Sequence, residues 1–356
     1  MSLHLLLIAG AATWLRSPAF VPRRAAVHHH HRPHIRCHPP VAGADGIGDQ
    51  APVANTKNGG VEAPRWRQCI PQRGPLDREI LGVALPSMIN LAVIPIVGAV
   101  DTFWIGRMGD ALALAGQGAA NQAFFSTFFL IAFIPTITAP LVAKAAGAGD
   151  IEGARARVCE ALFLANVLGA IGSLLLVFAP QACLAPVMPA GAPAAAYATR
   201  YLRLRSLSLV PALFSSVGFA AFRGLLDSVT PLKISLASNA INLFLDPLLI
   251  FGARLGVAGA ALATAASELA SGAAYAVLLW RRRLLSLRGL LTPPKLSALL
   301  PLLKGGVAML LRQAALNVAF VSATRMTQAM DSTGVSAAAH AIVNQGVRAT
   351  AHATGC

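Results

Sequence analysis

From Ile80 onward, long apolar runs alternate with short polar connectors, and each run approaches the ~20 residues needed to cross a ~30 Å hydrocarbon core. Seven runs are complete and an eighth begins: Ile80 to Ile105, Ala111 to Ala143, Val158 to Ala179, Leu207 to Phe222, Leu232 to Phe251, Val257 to Trp280, Gly306 to Thr324, and Val335 onward. Each predicts a transmembrane helix, and the second is long enough to tilt or to carry interfacial turns. Connectors after even-numbered runs hold Lys144, Arg155, Arg157, Arg223, Lys233, Arg281, Arg282, Arg283, Arg288, Lys295 and Lys304. Those after odd-numbered runs hold fewer: Arg107, Arg200, Arg203, Arg205, Arg254 and Arg325. An excess of Lys and Arg marks the cytoplasm-equivalent side, so the N-terminus and the even-to-odd connectors are expected to face it.

The pattern also repeats. Gly82-Val-Ala-Leu-Pro opens the first run and Gly306-Val-Ala-Met-Leu the seventh. Ala113-Leu-Ala-Gly-Gln-Gly-Ala-Ala-Asn121-Gln122 aligns with Val335-Ser-Ala-Ala-Ala-His340-Ala-Ile-Val-Asn344-Gln345 after a single-residue gap. Six helices per repeat predict two six-helix lobes related by an axis along the membrane normal, an arrangement found in transporters. The fold class expected is an all-α polytopic membrane protein, with the first six-helix lobe complete and the first helix or two of a second lobe. On this reading the chain, ending at Cys356 inside the eighth run, is truncated in helix eight.

Composition agrees, since 56% of the 356 residues are hydrophobic and only 12% charged. The net charge of +15 falls between apolar runs and in the N-terminal arm, without the aromatic and basic interleaving that single-strand binders use. It speaks for membrane topology, and no nucleic-acid partner is expected. Five cysteines form no CxxC pair, so neither a disulfide framework nor a zinc site is implied.

The arm itself has targeting composition: no acid precedes Asp45, whereas Arg16, Arg23, Arg24, Arg32 and Arg36 do. Leu3 to Trp14 is too short to span a bilayer and is followed by the small residues Ser17-Pro18-Ala19. The junction Ala19-Phe20-Val21-Pro22-Arg23-Arg24 resembles the bipartite leaders of algae with complex plastids, which implies a plastid membrane, with other endomembranes or the plasma membrane as alternatives. Residues 1–40 are assigned to this leader and 41–78 to a disordered Gly-, Pro- and Ala-rich linker. The first lobe is expected over 79–283, an interlobe linker over 284–302 and the second lobe from 303 to 356.

The candidate chemistry is carboxylate chemistry. Only Asp101, Asp246 and Glu268 are acids lying well inside the runs, and a carboxylate in hydrocarbon is costly enough to suggest function. Asn242 precedes Asp246 by one turn on the same helix face, and Pro247 has no N–H, which frees the Leu243 carbonyl. Asp101 lies five residues before Gly106, Asp246 six before Gly252, and Thr264 seven after Val257. At ~1.5 Å per residue, all sit about 7 to 11 Å below the outer helix ends, so helices one, five and six can supply one pocket. Two carboxylates held close together take up a proton or require a cation. Pro86, Pro95 and Pro247 supply bends. Glu268 reads equally as a second relay carboxylate or as a polar contact within the lobe. Arg325 occupies the position that the repeat gives to the counterpart of Asp101, either to attract an organic anion or to snorkel at the end of its run.

Several segments carry a family resemblance: Leu85-Pro86, Val100-Asp101-Thr102-Phe103-Trp104-Ile105-Gly106-Arg107, Gly147-Ala-Gly-Asp150, and Arg223-Gly-Leu-Leu-Asp227-Ser-Val-Thr230-Pro231-Leu232. Asn242 to Pro247, Gly256-Val-Ala-Gly-Ala-Ala-Leu-Ala-Thr264 and Ala339-His340-Ala-Ile complete the set. In this order they resemble the multidrug and toxic compound extrusion (MATE) family, in its plant and bacterial DNA-damage-inducible-like branches. The resemblance implies a proton- or sodium-driven antiporter of organic cations or organic acids, with Asp101, Asn242, Asp246 and Thr264 forming the coupling-ion site. It implies no cofactor beyond H⁺ or Na⁺, the lipid bilayer and a small organic solute as partners, and a monomer. Glu268 departs from the glutamine common at that place. The alternatives are a lipid-linked saccharide flippase of the same superfamily and a non-functional half-transporter. The runs contain no nucleophile constellation or paired His and acid motif of the kind catalysis needs, so an enzyme is not expected.

Overall fold

A computed structural model describes residues 74–291, 293–294, 296–330 and 332–353. The leader and most of the linker assigned by sequence lie outside the described residues. Twelve α-helices cover most of the described chain, and no strand occurs among the described residues. They are α1 (Pro75–Gly106), α2 (Ala111–Ile131), α3 (Phe133–Gly147), α4 (Ile151–Phe178), α5 (Pro180–Leu184), α6 (Ala195–Arg205), α7 (Leu209–Gly224), α8 (Val229–Pro247), α9 (Val257–Arg281), α10 (Leu287–Leu291), α11 (Leu296–Met330) and α12 (Val335–Ala353). Among the described residues, five stretches are long and apolar enough to cross a membrane: Ala111–Gly147, Ile151–Phe178, Ala195–Gly224, Val229–Gly252 and Val257–Arg281. The chain is an integral, multi-pass membrane protein.

Local chemistry sets the helix ends. Gly109 and Gly149 take positive φ, and each is followed by an aspartate that caps a helix. Asp110 accepts from the Leu112 and Ala113 amides and starts α2; Asp150 accepts from the Gly153 amide and starts α4. Asp227 accepts from the amide and hydroxyl of Thr230 and steadies the entry to α8. Gly256, at φ 59° and ψ −133°, opens α9 in backbone space that side chains avoid.

Several boundaries differ from the sequence expectations. The helix of the first run begins at Pro75, inside the segment assigned to the linker, because Pro75 suits a first turn and the Asp77 carboxylate accepts from the Gly74 amide. The second run is split at Ala132: Pro135 has no N–H for the Ile131 carbonyl, so α2 stops and α3 restarts in phase. The fourth run starts at Ala195, not Leu207, and passes through one 3₁₀ turn at Ser206–Ser208. Part of the interlobe linker is helical, since α10 lies within it and α11 begins at Leu296.

The lobe packs through small residues. Ala113, Ala115, Ala119, Ala120, Ala161, Ala165, Ala198 and Ala221 are buried, whereas Leu174, Leu175, Phe178 and Phe244 are exposed. This arrangement suits a lipid surround, where close helix approach rather than water exclusion holds helices together. α6 lies against α2 and α9, α7 against α3, α4 and α9, and α8 against α1 and α9. α12 packs on α1 and α2, and α11 on α2 and α3.

Candidate functional site

The α8 helix shows how the site is built. Asn242 and Asp246 are 1% and 0% exposed, while Phe244 on the opposite face is 74% exposed, so the polar pair points into the lobe and the apolar residues out. Asp246 is followed by Pro247, after which the backbone loosens into a π-helical turn, Leu248–Gly252, with Ala253 N–H donating to the Leu248 carbonyl at 2.8 Å. The α9 backbone abuts this turn. A Cβ on Gly259 would lie 2.6 Å from the Leu249 carbonyl carbon, so glycine is required for the approach.

Three of the expected helices do meet here. Asp101 from α1 is 9% exposed and faces Asp246 from α8 and Thr264 from α9. One Asp101 oxygen, both Asp246 oxygens and both amide atoms of Asn242 have no hydrogen-bond partner. The Thr264 hydroxyl donates to the Ala260 carbonyl of its own helix at 2.9 Å. Asn242 shares the buried face with Asp246 without bonding to it. Unpartnered buried carboxylate and amide oxygens are costly unless a proton or a cation satisfies them, and that is the chemistry the arrangement can perform.

Glu268, one turn beyond Thr264 on α9, lies within electrostatic reach of Asp101. Arg325 is not brought to this cluster: it is exposed and donates to the Ala185 carbonyl at the end of α5. Helix α1 continues unbroken through Pro86 and Pro95, and the Pro95 side chain lies outside the described residues. Among the described residues no group of three metal-ligating side chains occurs.

Sequence reading missed Arg205. It was assigned to a connector, but the early start of α6 carries it into the lobe, where it is 8% exposed. Its guanidinium lies 4.7 Å from the Phe124 ring centroid and within electrostatic reach of Asp101, Asp246 and Glu268. The signal was present as periodicity, because Ala198, Tyr201, Leu202 and Arg205 form one buried face at i, i+3, i+4 and i+7. A window that averages hydropathy is dominated instead by the exposed Arg200 and Arg203.

Residues 86–248, which include Asp101, Asn242 and Asp246, match the MatE family model. Over that stretch the chain is similar to the MatE family. It is 32% identical over 199 residues to Protein DETOXIFICATION 44, chloroplastic, of Arabidopsis thaliana, a match covering 53% of this chain and 38% of that protein. It is 28% identical over 215 residues to the DNA damage-inducible protein F of Escherichia coli (strain K12), covering 60% and 46%. The chain thus spans less than half the length of these two relatives. The outward-facing conformation of a multidrug resistance MATE family transporter of the MOP superfamily superposes with a TM-score of 0.63 at 24% identity, over 80% of this chain and 66% of that one. That likeness shows the MatE fold, whose first-lobe interior holds the acid cluster here.

Proposed function

We propose that this chain works in ion-coupled antiport, exporting small organic solutes across a membrane in exchange for H⁺ or Na⁺. The observation that carries the proposal is the meeting of Asp101 and Asp246, with Asn242 and Thr264 beside them, in the buried interior of the lobe. Loading and unloading one ion at this pair changes the charge buried between α1, α8 and α9, which biases the helices toward one side of an alternating-access cycle. An organic cation suits the acidic interior better than an organic acid. A relative named as a probable multidrug resistance protein NorM, from Deinococcus radiodurans, is 33% identical over 189 residues, covering 51% of this chain and 40% of that protein, and supports xenobiotic cargo. The Arabidopsis relative named as chloroplastic and the basic, acid-free leader together favour a plastid membrane. No cofactor and no partner beyond the bilayer and the solute is invoked, and the working unit is a monomer.

The test is efflux of a fluorescent organic cation from proteoliposomes holding the chain, driven by an imposed pH or Na⁺ gradient. Asp246→Asn should remove the gradient dependence and leave dye binding intact. Flux that responds to neither gradient in the unsubstituted chain, or to both equally after the substitution, overturns the proposal.

A further inference from the structure

We infer that Arg205 is a specificity-determining residue: a resident cation at the Asp101–Asp246 cluster that keeps Na⁺ out. The inference rests on the reading of that cluster as the coupling site. A guanidinium stays ionised, so Arg205 brings a permanent positive charge into the lobe. Its Nε and Nη1 have no hydrogen-bond partner although the residue is 8% exposed, and its plane is held over Phe124 at 4.7 Å. The charged and titratable groups within its electrostatic reach are Asp101 from α1, Asp246 from α8, Glu268 from α9 and Tyr201 from its own helix.

Geometry separates the two candidate ions. A hard metal cation needs several oxygens at once, here the two carboxylates with the Asn242 and Thr264 oxygens. A fixed guanidinium charge within electrostatic reach of those carboxylates repels a second cation in the same dry space. A proton needs a single carboxylate oxygen and no cage. The unpartnered oxygens of Asp101 and Asp246 remain available to a single proton.

Binding of ²²Na⁺ to the purified chain in detergent micelles tests this directly. The unsubstituted chain should show no saturable binding. Arg205→Gln should gain saturable binding, tighter by about tenfold or more, the scale expected for deleting a unit charge from a low-dielectric pocket. Arg205→Lys keeps the charge and should still exclude Na⁺, which guards against a folding defect in the glutamine variant. Adding Asp246→Asn to Arg205→Gln should abolish the gained binding. Equal saturable binding in the unsubstituted chain and Arg205→Gln, lost with Asp246→Asn in each, overturns the role of Arg205 and leaves the coupling site standing. Binding in Arg205→Gln that survives Asp246→Asn overturns the coupling site instead. Absence of binding in a monodisperse Arg205→Gln chain also overturns the inference.

Discussion

Single residues hold this lobe at its rims as well as at its centre. Asp110 satisfies two amides at the start of α2 through one oxygen and accepts from the Tyr197 hydroxyl, at 2.6 Å, through the other. The cap therefore also ties α2 to α6. The Tyr197 bond, followed by the amide bonds, holds the Asp110 carboxyl below its ordinary value of 3.8. A group with a depressed folded pKa stabilises above its unfolded pKa, and that contribution is lost as pH falls through the folded value. Asp110→Ala should thus lower stability by about 1–2 kcal/mol at neutral pH, combining a lost cap and a lost charged hydrogen bond. Thermal melts of the detergent-solubilised chain should show this deficit at pH 7 and show it shrinking below pH 4 or so. A deficit that stays constant down to pH 3 would assign the effect to packing. Tyr197→Phe should reproduce only the part that depends on the side-chain bond.

At the scale of elements, close approach is what glycine provides. A Cβ on Gly116 would lie 2.6 Å from the Tyr197 Cβ and 2.9 Å from the Ala198 amide nitrogen, so α2 and α6 meet backbone to backbone. Gly82 on α1 has nothing within 4 Å of the same construction. Gly116→Val should cost about 1–3 kcal/mol through overpacking. Gly82→Ala should be neutral or stabilising, since alanine loses less entropy than glycine in a helix, by about 0.5–1 kcal/mol. Equal melting shifts in the two variants would contradict the asymmetry. Much of this architecture was legible beforehand: the runs, the inward Asn242 and Asp246 face, and the depth match with Asp101 all follow from periods and rise per residue. The break at Ala132 and the early start of α6 were not. Pro135 removes only one bond, and whether that ends a helix depends on what packs beside it. The Arg-bearing turns of α6 are held because Tyr201 and Leu202 pack into the core and Arg205 lies over the Phe124 ring of α2, which a hydropathy average across Arg200 and Arg203 does not record.

At the scale of the whole molecule, the repeat seen in sequence becomes a seam. Asn121 and Gln122 of α2 line the same narrow cleft as Asn344 and Gln345 of α12, so the aligned amide pairs of the two copies face one another. Gln122 donates to Asn317 of α11 at 3.0 Å, and Gln328 of α11 donates to the Ala115 carbonyl at 2.9 Å. The Thr324 hydroxyl meets the His340 ring at 3.4 Å. These polar contacts join the first lobe to the start of the second. Backbones approach closely where side chains are small: a Cβ on Gly118 would lie 2.7 Å from that of Ala341, and one on Gly98 would lie 2.7 Å from Oε1 of Gln345. Gly118→Val should wedge this seam. An overpacking cost of about 1–3 kcal/mol borne by the closed form alone shifts the balance toward the open form by about fivefold to a hundredfold. A cysteine replacing Asn121, in a chain whose five native cysteines are replaced by serine, reports on this through its rate of modification by a membrane-impermeant thiol reagent. Gly118→Val should raise that rate about tenfold, and Gly118→Ala, which adds one methyl group at the same contact, should raise it less. An unchanged rate in a valine variant that still melts cooperatively would show that the seam yields without parting, and that the cleft is a fixed joint between the lobes.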